Sequence, residues 1–153
     1  MSTATADECA QEILEVAPLV MRAIRAEMRS YRTPELTVPQ FRTLAFLKHH
    51  TGASLSDVAE HIGLALPSMS KMIDGLVTRQ MVNRELSSYD RRYVTLALTE
   101  LGQTTLQMAF DTTQARLSEL LATLPSAQRE TISQAMQFLR PVFSLGPAMD
   151  VDP

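Results

Sequence analysis

The sequence predicts a mainly α fold with one small β-hairpin. Three observations carry that reading. From about Asp7 to Leu76, apolar residues recur at spacings of three and four, the mark of one buried helical face. Between Val82 and Leu98 the period drops to two, with a polar turn in the middle. After Thr99 the helical period returns and holds to about Leu139. Two short helices joined by a glycine turn and followed by a hairpin read as a winged helix-turn-helix, with helices from both ends of the chain around it. The 153 residues suit one domain, or one compact unit with an appended helical part. A composition of 45% hydrophobic and 20% charged residues argues against disorder.

Each element has its own signal. Ile13, Ala17, Val20, Ile24 and Met28 share one face of a first helix, which Pro18 is expected to kink or restart. Thr37 and Gln40 have the spacing of a capping box for the next helix, with Pro39 tolerated in its first turn. Phe41, Leu44 and Leu47 form its inner face, and Gly52 is the expected left-handed cap. Ser54 caps a short helix whose inward residues are Leu55, Val58, Ala59 and Ile62; Gly63 ends it. A further helix starts with Pro67 at its first position and buries Met69, Met72, Ile73 and Leu76. Val82–Leu86 and Tyr93–Leu98 are the two strands, with Ser87–Arg92 as the turn. Thr99 caps a last pair of helices that break at Pro125-Ser126. Leu106, Phe110, Leu117, Leu120, Leu121 and Leu124 line the first, and Ile132, Ala135, Met136 and Leu139 the second. Pro141 ends or bends that second helix.

Composition excludes several classes. One cysteine, Cys9, allows neither an intrachain disulfide nor a multi-thiolate metal site. The opening residues lack the basic and apolar regions of a secretory signal, and no apolar run approaches the ~20 residues of a membrane span. The expectation is a cytoplasmic protein without a membrane partner. No nucleophile–base pair, phosphate-binding glycine loop or flanking carboxylate pair stands at a useful spacing, so neither an enzyme nor a cofactor is expected. The net charge of −3 is unevenly shared. Residues 37–99 carry seven basic and five acidic residues, and the flanking segments carry seven and twelve.

The polar face of the helix after Gly63 offers Pro67, Ser68, Ser70 and Lys71. Alone, such a face is equally a solvated surface. The hairpin tip adds Asp90-Arg91-Arg92, charges on a protruding turn with no apolar contact to make. A carboxylate there would be repelled by nucleic-acid phosphates unless paired, so Asp90 is placed to orient Arg92. A purely structural ion pair is the alternative.

Residues 37–102 resemble the multiple-antibiotic-resistance regulator (MarR) family of bacterial transcription factors. The residues that carry the likeness are Leu55–Gly63 in the first helix, Ser70–Val77 in the recognition helix, and the run from Asp90 to Gly102 through the wing. The resemblance implies a homodimer, with a DNA-binding domain over 37–99, a dimerisation region built from 7–36 and 99–145, and a loose tail over 146–153. It implies that Pro67, Ser68, Ser70 and Lys71 enter the major groove of a pseudo-palindromic DNA operator. The wing, with Asp90, Arg91 and Arg92, would enter the minor groove. It also implies a repressor released by a small aromatic or phenolic ligand, for which Arg25, Tyr31, Arg32 and Phe41 are candidate contacts.

Two departures from the family pattern stand out. Gln80 occupies the place of a glycine after the recognition helix, and Leu66 precedes Pro67 where a polar cap is usual. Two alternatives differ in function. Cys9 could serve as a redox-sensing thiol, although Glu8 and Glu12 flank it and oppose thiolate formation. The winged helix could instead be a protein-interaction module, but that would not need a basic wing tip, so Asp90-Arg91-Arg92 argues against it. Metal sensing through His49, His50 and His61 is disfavoured because adjacent histidines point apart.

Overall fold

A computed structural model describes residues 3–30, 36–87 and 93–144. The chain divides into two compact units, Met1–Leu117 and Ser118–Pro153. The element order is α1 (Ala6–Ser30), α2 (Val38–His49), β1 (Ala53–Ser54), α3 (Leu55–Ile62), α4 (Leu66–Thr78), β2 (Val82–Leu86), β3 (Val94–Leu98), α5 (Glu100–Leu121) and α6 (Ser126–Ser144). The mainly α class and the hairpin of β2 and β3 are as the sequence predicts.

Local chemistry sets most helix starts. Thr37 accepts from the Gln40 amide while the Gln40 side chain accepts from the Thr37 amide, the expected capping box. Ser54 and Asp57 make the same reciprocal pair at α3. A third box, unanticipated, joins Thr5 and Glu8 at α1. Hydrogen bonds from Thr5 hold the Glu8 carboxyl below its ordinary range. Gly63 ends α3 in the left-handed conformation, as expected. Gly52 also has a positive φ of 86°, but the cap of α2 is His50, two residues earlier.

Neither internal proline interrupts its helix. α1 runs unbroken through Pro18, and α6 continues past Pro141 to Ser144. A proline removes one backbone donor and crowds the preceding turn. The hydrogen bonds on either side of it keep each helix continuous.

The third strand is a correction to the two-stranded hairpin. β1 pairs antiparallel with β3, giving a sheet of order β1-β3-β2. Ala53 lies opposite Leu96, and the Gly52 amide donates to the Leu96 carbonyl. This pairing anchors the hairpin to the turn between α2 and α3. It leaves β2 as an edge strand.

The core of the first unit gathers Leu44 and Leu47 from α2, Val58 from α3, and Met69, Ile73 and Leu76 from α4. Leu96 from β3 and Leu106 from α5 complete it. Each buried aliphatic side chain contributes about 1.5–3 kcal/mol. Thr43 is buried among them, and its hydroxyl donates to the Pro39 carbonyl at 2.8 Å. Met72 is half-buried, and Thr43 also reaches its sulfur. Val94 stays exposed although it shares the alternation of Leu96.

In the second unit, Ile132 and Leu139 of α6 are half-buried. The other two residues expected to line α6, Ala135 and Met136, are exposed, as are Phe138, Val142 and Phe143. Exposed apolar residues also mark α1 (Leu14, Val16, Leu19, Val20) and α5 (Met108, Phe110). Among the described residues, no helix is long and apolar enough to cross a membrane.

Candidate nucleic-acid interface

The helix-turn-helix is α3, the left-handed Gly63 and α4. Ala59, 5% exposed, is small where the two helices meet. With Met69, Ile73 and Leu76 inward, α4 turns Pro67, Ser68, Lys71, Asp74, Gly75 and Thr78 outward. Of the four residues expected on the recognition face, Pro67, Ser68 and Lys71 are exposed and Ser70 is half-buried.

The start of α4 corrects a detail. Leu66 is the first helical residue and Pro67 the second, not the first. Ala65 stands at the cap and makes no side-chain hydrogen bond. The leading amides of α4 therefore lack a side-chain acceptor at the cap, and helix amides of this kind favour an anionic partner.

At the other end, Gln80 takes a positive φ of 60°, the conformation that its departure from glycine made costly. The strained residue is tied down. Its carbonyl accepts from the Thr99 hydroxyl at 2.6 Å, and the Thr99 amide donates to the Met81 carbonyl at 3.1 Å. The same hydroxyl accepts from the Gly102 amide, capping α5 as expected. A Cβ at Gly102 would lie 2.1 Å from the Met81 carbonyl oxygen, so only glycine allows this approach. The end of α4 is thereby joined to the start of α5.

One ion pair on this face escaped the sequence reading. Arg84 of β2 reaches across to Asp74 of α4 and donates to its carboxylate. The residues are ten apart, and the hairpin register that brings them together has no local signature. The only available signal was a carboxylate on the outer stripe of α4.

The wing-tip residues Asp90, Arg91 and Arg92 lie outside the described residues, as do Tyr31 and Arg32. The other two proposed ligand contacts, Arg25 and Phe41, do come together. They line a cleft of about 680 Å³ between α1 and α2, with Met21, Ile24, Met28, Val38, Pro39 and Arg42. An apolar wall with two guanidinium groups suits a flat, anionic ligand. Arg42 went unforeseen, because its place depends on how α1 lies against α2.

The histidines do not converge. His50 and His61 both stack on the Phe46 ring, at centroid distances of 4.2 and 4.4 Å. The ring between them stops the two imidazoles from sharing an ion. Burial, then Arg42, then His50 push the His61 imidazole below its ordinary range. Among the described residues no cluster of His, Cys, Asp or Glu could hold a metal. Cys9 is an exposed thiol in the first turns of α1.

Residues 36–94, from the end of the segment before α2 to the start of β3, match the MarR family. Over that segment, somewhat under half of its length, the chain is similar to MarR-family proteins. It is 26% identical over 105 residues to the uncharacterised HTH-type transcriptional regulator YfiV of Bacillus subtilis, a match that takes in 69% of this chain and 66% of that protein. The chain spans about half to two thirds of the length of the curated relatives it matches. The fold extends beyond the matched segment. RV1404 from Mycobacterium tuberculosis superposes with a TM-score of 0.79 at 20% identity, covering 96% of this chain and 99% of that one. The transcriptional repressor CouR, bound to a 23-mer DNA duplex, superposes with a TM-score of 0.66 at 24% identity over 90% of this chain and 99% of its own.

Proposed function

We propose that the protein is a homodimeric, sequence-specific DNA-binding repressor. The observation that carries this reading is the outer stripe of α4. There Ser68 and Lys71 stand exposed on a helix whose opposite face is fully committed to the core. Such a helix can enter a major groove without losing its packing. Hydroxyls and a lysine hold phosphates and touch base edges. Pro67 and Ser70 flank them at the helix start. The wing-tip residues Asp90, Arg91 and Arg92 are proposed, from the family resemblance, to supply the minor-groove contact. The exposed apolar residues of α1, α5 and α6 support assembly with a second copy of the chain. A dimer of such domains reads two half-sites about one helical turn apart.

The effector of this reading is a small aromatic anion in the cleft of Arg25, Phe41 and Arg42. Both helices lining that cleft belong to the unit that holds α4, so a ligand there can bias the placement of α4. The test is a fluorescence titration of the protein against the DNA upstream of its own gene, and against a scrambled duplex, over a range of salt. Preference for the upstream fragment, a steep salt dependence and its reduction in Arg92→Ala are expected. Equal, weak binding to both duplexes refutes the reading. Adding aromatic acids to the preformed complex tests the effector: release that is lost in Arg25→Ala is expected.

A further inference from the structure

We propose that Arg84 is a further DNA-backbone contact and that Asp74 is the residue that positions it. The inference rests on the DNA-binding reading above. It starts from an oddity. Asp74 puts a carboxylate on the outer stripe of α4, three residues after Lys71 and beside Gly75. An anion on a phosphate-facing surface works against binding. Its pairing with Arg84 gives no comparable return in stability. Both side chains are solvent-exposed, 39% for Arg84 and 57% for Asp74, and an exposed pair contributes little to stability.

The pair makes better sense as a device for holding a guanidinium. Arg84 sits in the middle of β2, the edge strand beside α4, with Leu96 opposite it on β3. A free arginine there would sample many rotamers. Asp74 holds one end of the guanidinium at the seam between recognition helix and wing. Among the described residues, this is the one partner Arg84 has. Arginine carries five N–H donors in a planar fork, so donors remain for a phosphate oxygen. Gly75 keeps the neighbouring surface low, with nothing within 4 Å of where its Cβ would be. Pre-orienting the fork removes an ordering cost that binding would otherwise carry.

The test uses the full-length protein, a random-sequence 24-bp duplex, and the duplex that the wild type selects best from a random 24-bp library. Arg84→Ala is expected to weaken binding to both duplexes by the same factor, about tenfold. The slope of log affinity against log salt should become shallower by about one per subunit, as for one lost phosphate contact. Asp74→Asn is the decisive variant. It removes a negative charge from the DNA face, so an Asp74 that merely repels phosphate would bind tighter when neutralised. A positioning Asp74 instead makes Asp74→Asn bind more weakly, by about threefold or more, and Asp74→Glu recovers part of the loss. Thermal melts of all variants check that folding is unchanged, and Arg84→Gln, which removes the charge but keeps most of the side chain, repeats the test if Arg84→Ala melts early. Tighter or unchanged binding by Asp74→Asn, or an unchanged salt slope in Arg84→Ala, overturns the inference alone. A wild type that binds neither duplex overturns the DNA-binding reading together with it.

Discussion

Gly102→Ala should destabilise the protein, although the same change in an ordinary helix stabilises. Glycine inside a helix costs about 0.8–1.0 kcal/mol relative to alanine. Gly102 lies inside α5, so propensity alone predicts a gain of that size. The structure reverses the sign. The added Cβ would stand 2.1 Å from the Met81 carbonyl oxygen and 3.1 Å from its carbon, far inside van der Waals contact. That oxygen is backbone and accepts from the Thr99 amide, so it cannot yield without straining the Gln80–Met81 turn. Overpacking of this kind costs about 1–3 kcal/mol or more. Together with the lost hydrogen bond, of about 1 kcal/mol, it outweighs the propensity gain and leaves a net loss of about 1–3 kcal/mol. Gly75→Ala is the internal control: nothing lies within 4 Å of its Cβ position, so it should stabilise by about 0.8–1.0 kcal/mol. Urea unfolding at one fixed protein concentration measures both, since assembly would make stability concentration-dependent. A Gly102→Ala protein as stable as the wild type, or more so, would refute the reasoning.

Three further outcomes follow from the same joint and from the histidine stack. Thr99→Val removes a hydroxyl that both donates to the Gln80 carbonyl and accepts from the Gly102 amide, and should lower unfolding free energy by about 1–2 kcal/mol in a denaturant titration. Gln80→Gly relieves a positive φ of 60° and should raise stability by about 0.5–1 kcal/mol, read as a higher urea midpoint at unchanged slope. The depressed His61 means that the folded state binds fewer protons than the unfolded chain, whose imidazole titrates near 6.5. That contribution to stability is complete above about pH 6.5 and is lost as pH falls through the lower folded-state value. Thermal melts from pH 8 to pH 5 should therefore decline less steeply in His61→Gln than in the wild type.

Legibility in the sequence tracked the range of the interaction. Thr37–Gln40 and Ser54–Asp57 could be read directly, because a capping box is settled within four residues. Thr5–Glu8 has the same spacing but stands ahead of the first apolar residues that mark the helix in sequence. Pro18 does not restart α1, nor does Pro141 end α6: the cost of one missing amide is visible in sequence and the support of the flanking turns is not. Strand β1 had no signal at all. Two residues carry no periodicity, and Ala53–Ser54 are a strand only because the edge of β3 is open to them. Arg25 and Phe41 are legible as cleft candidates, whereas Arg42, its second cation, is not, because α2 alone does not say which side faces α1.

By itself, then, the sequence determined the order of the helices and of the β2–β3 hairpin, the capping boxes of α2 and α3, the core face of α4 and the resemblance to a MarR-family domain. Each depends on residues within one or two turns of each other, where backbone geometry alone places the side chains. Tertiary structure decided the rest: the Asp74–Arg84 pair, the Gly102–Met81 approach, the His50–Phe46–His61 stack and the cleft between α1 and α2. These join residues as far as 21 apart, and their contact depends on strand register and helix packing, which no local pattern of side chains encodes.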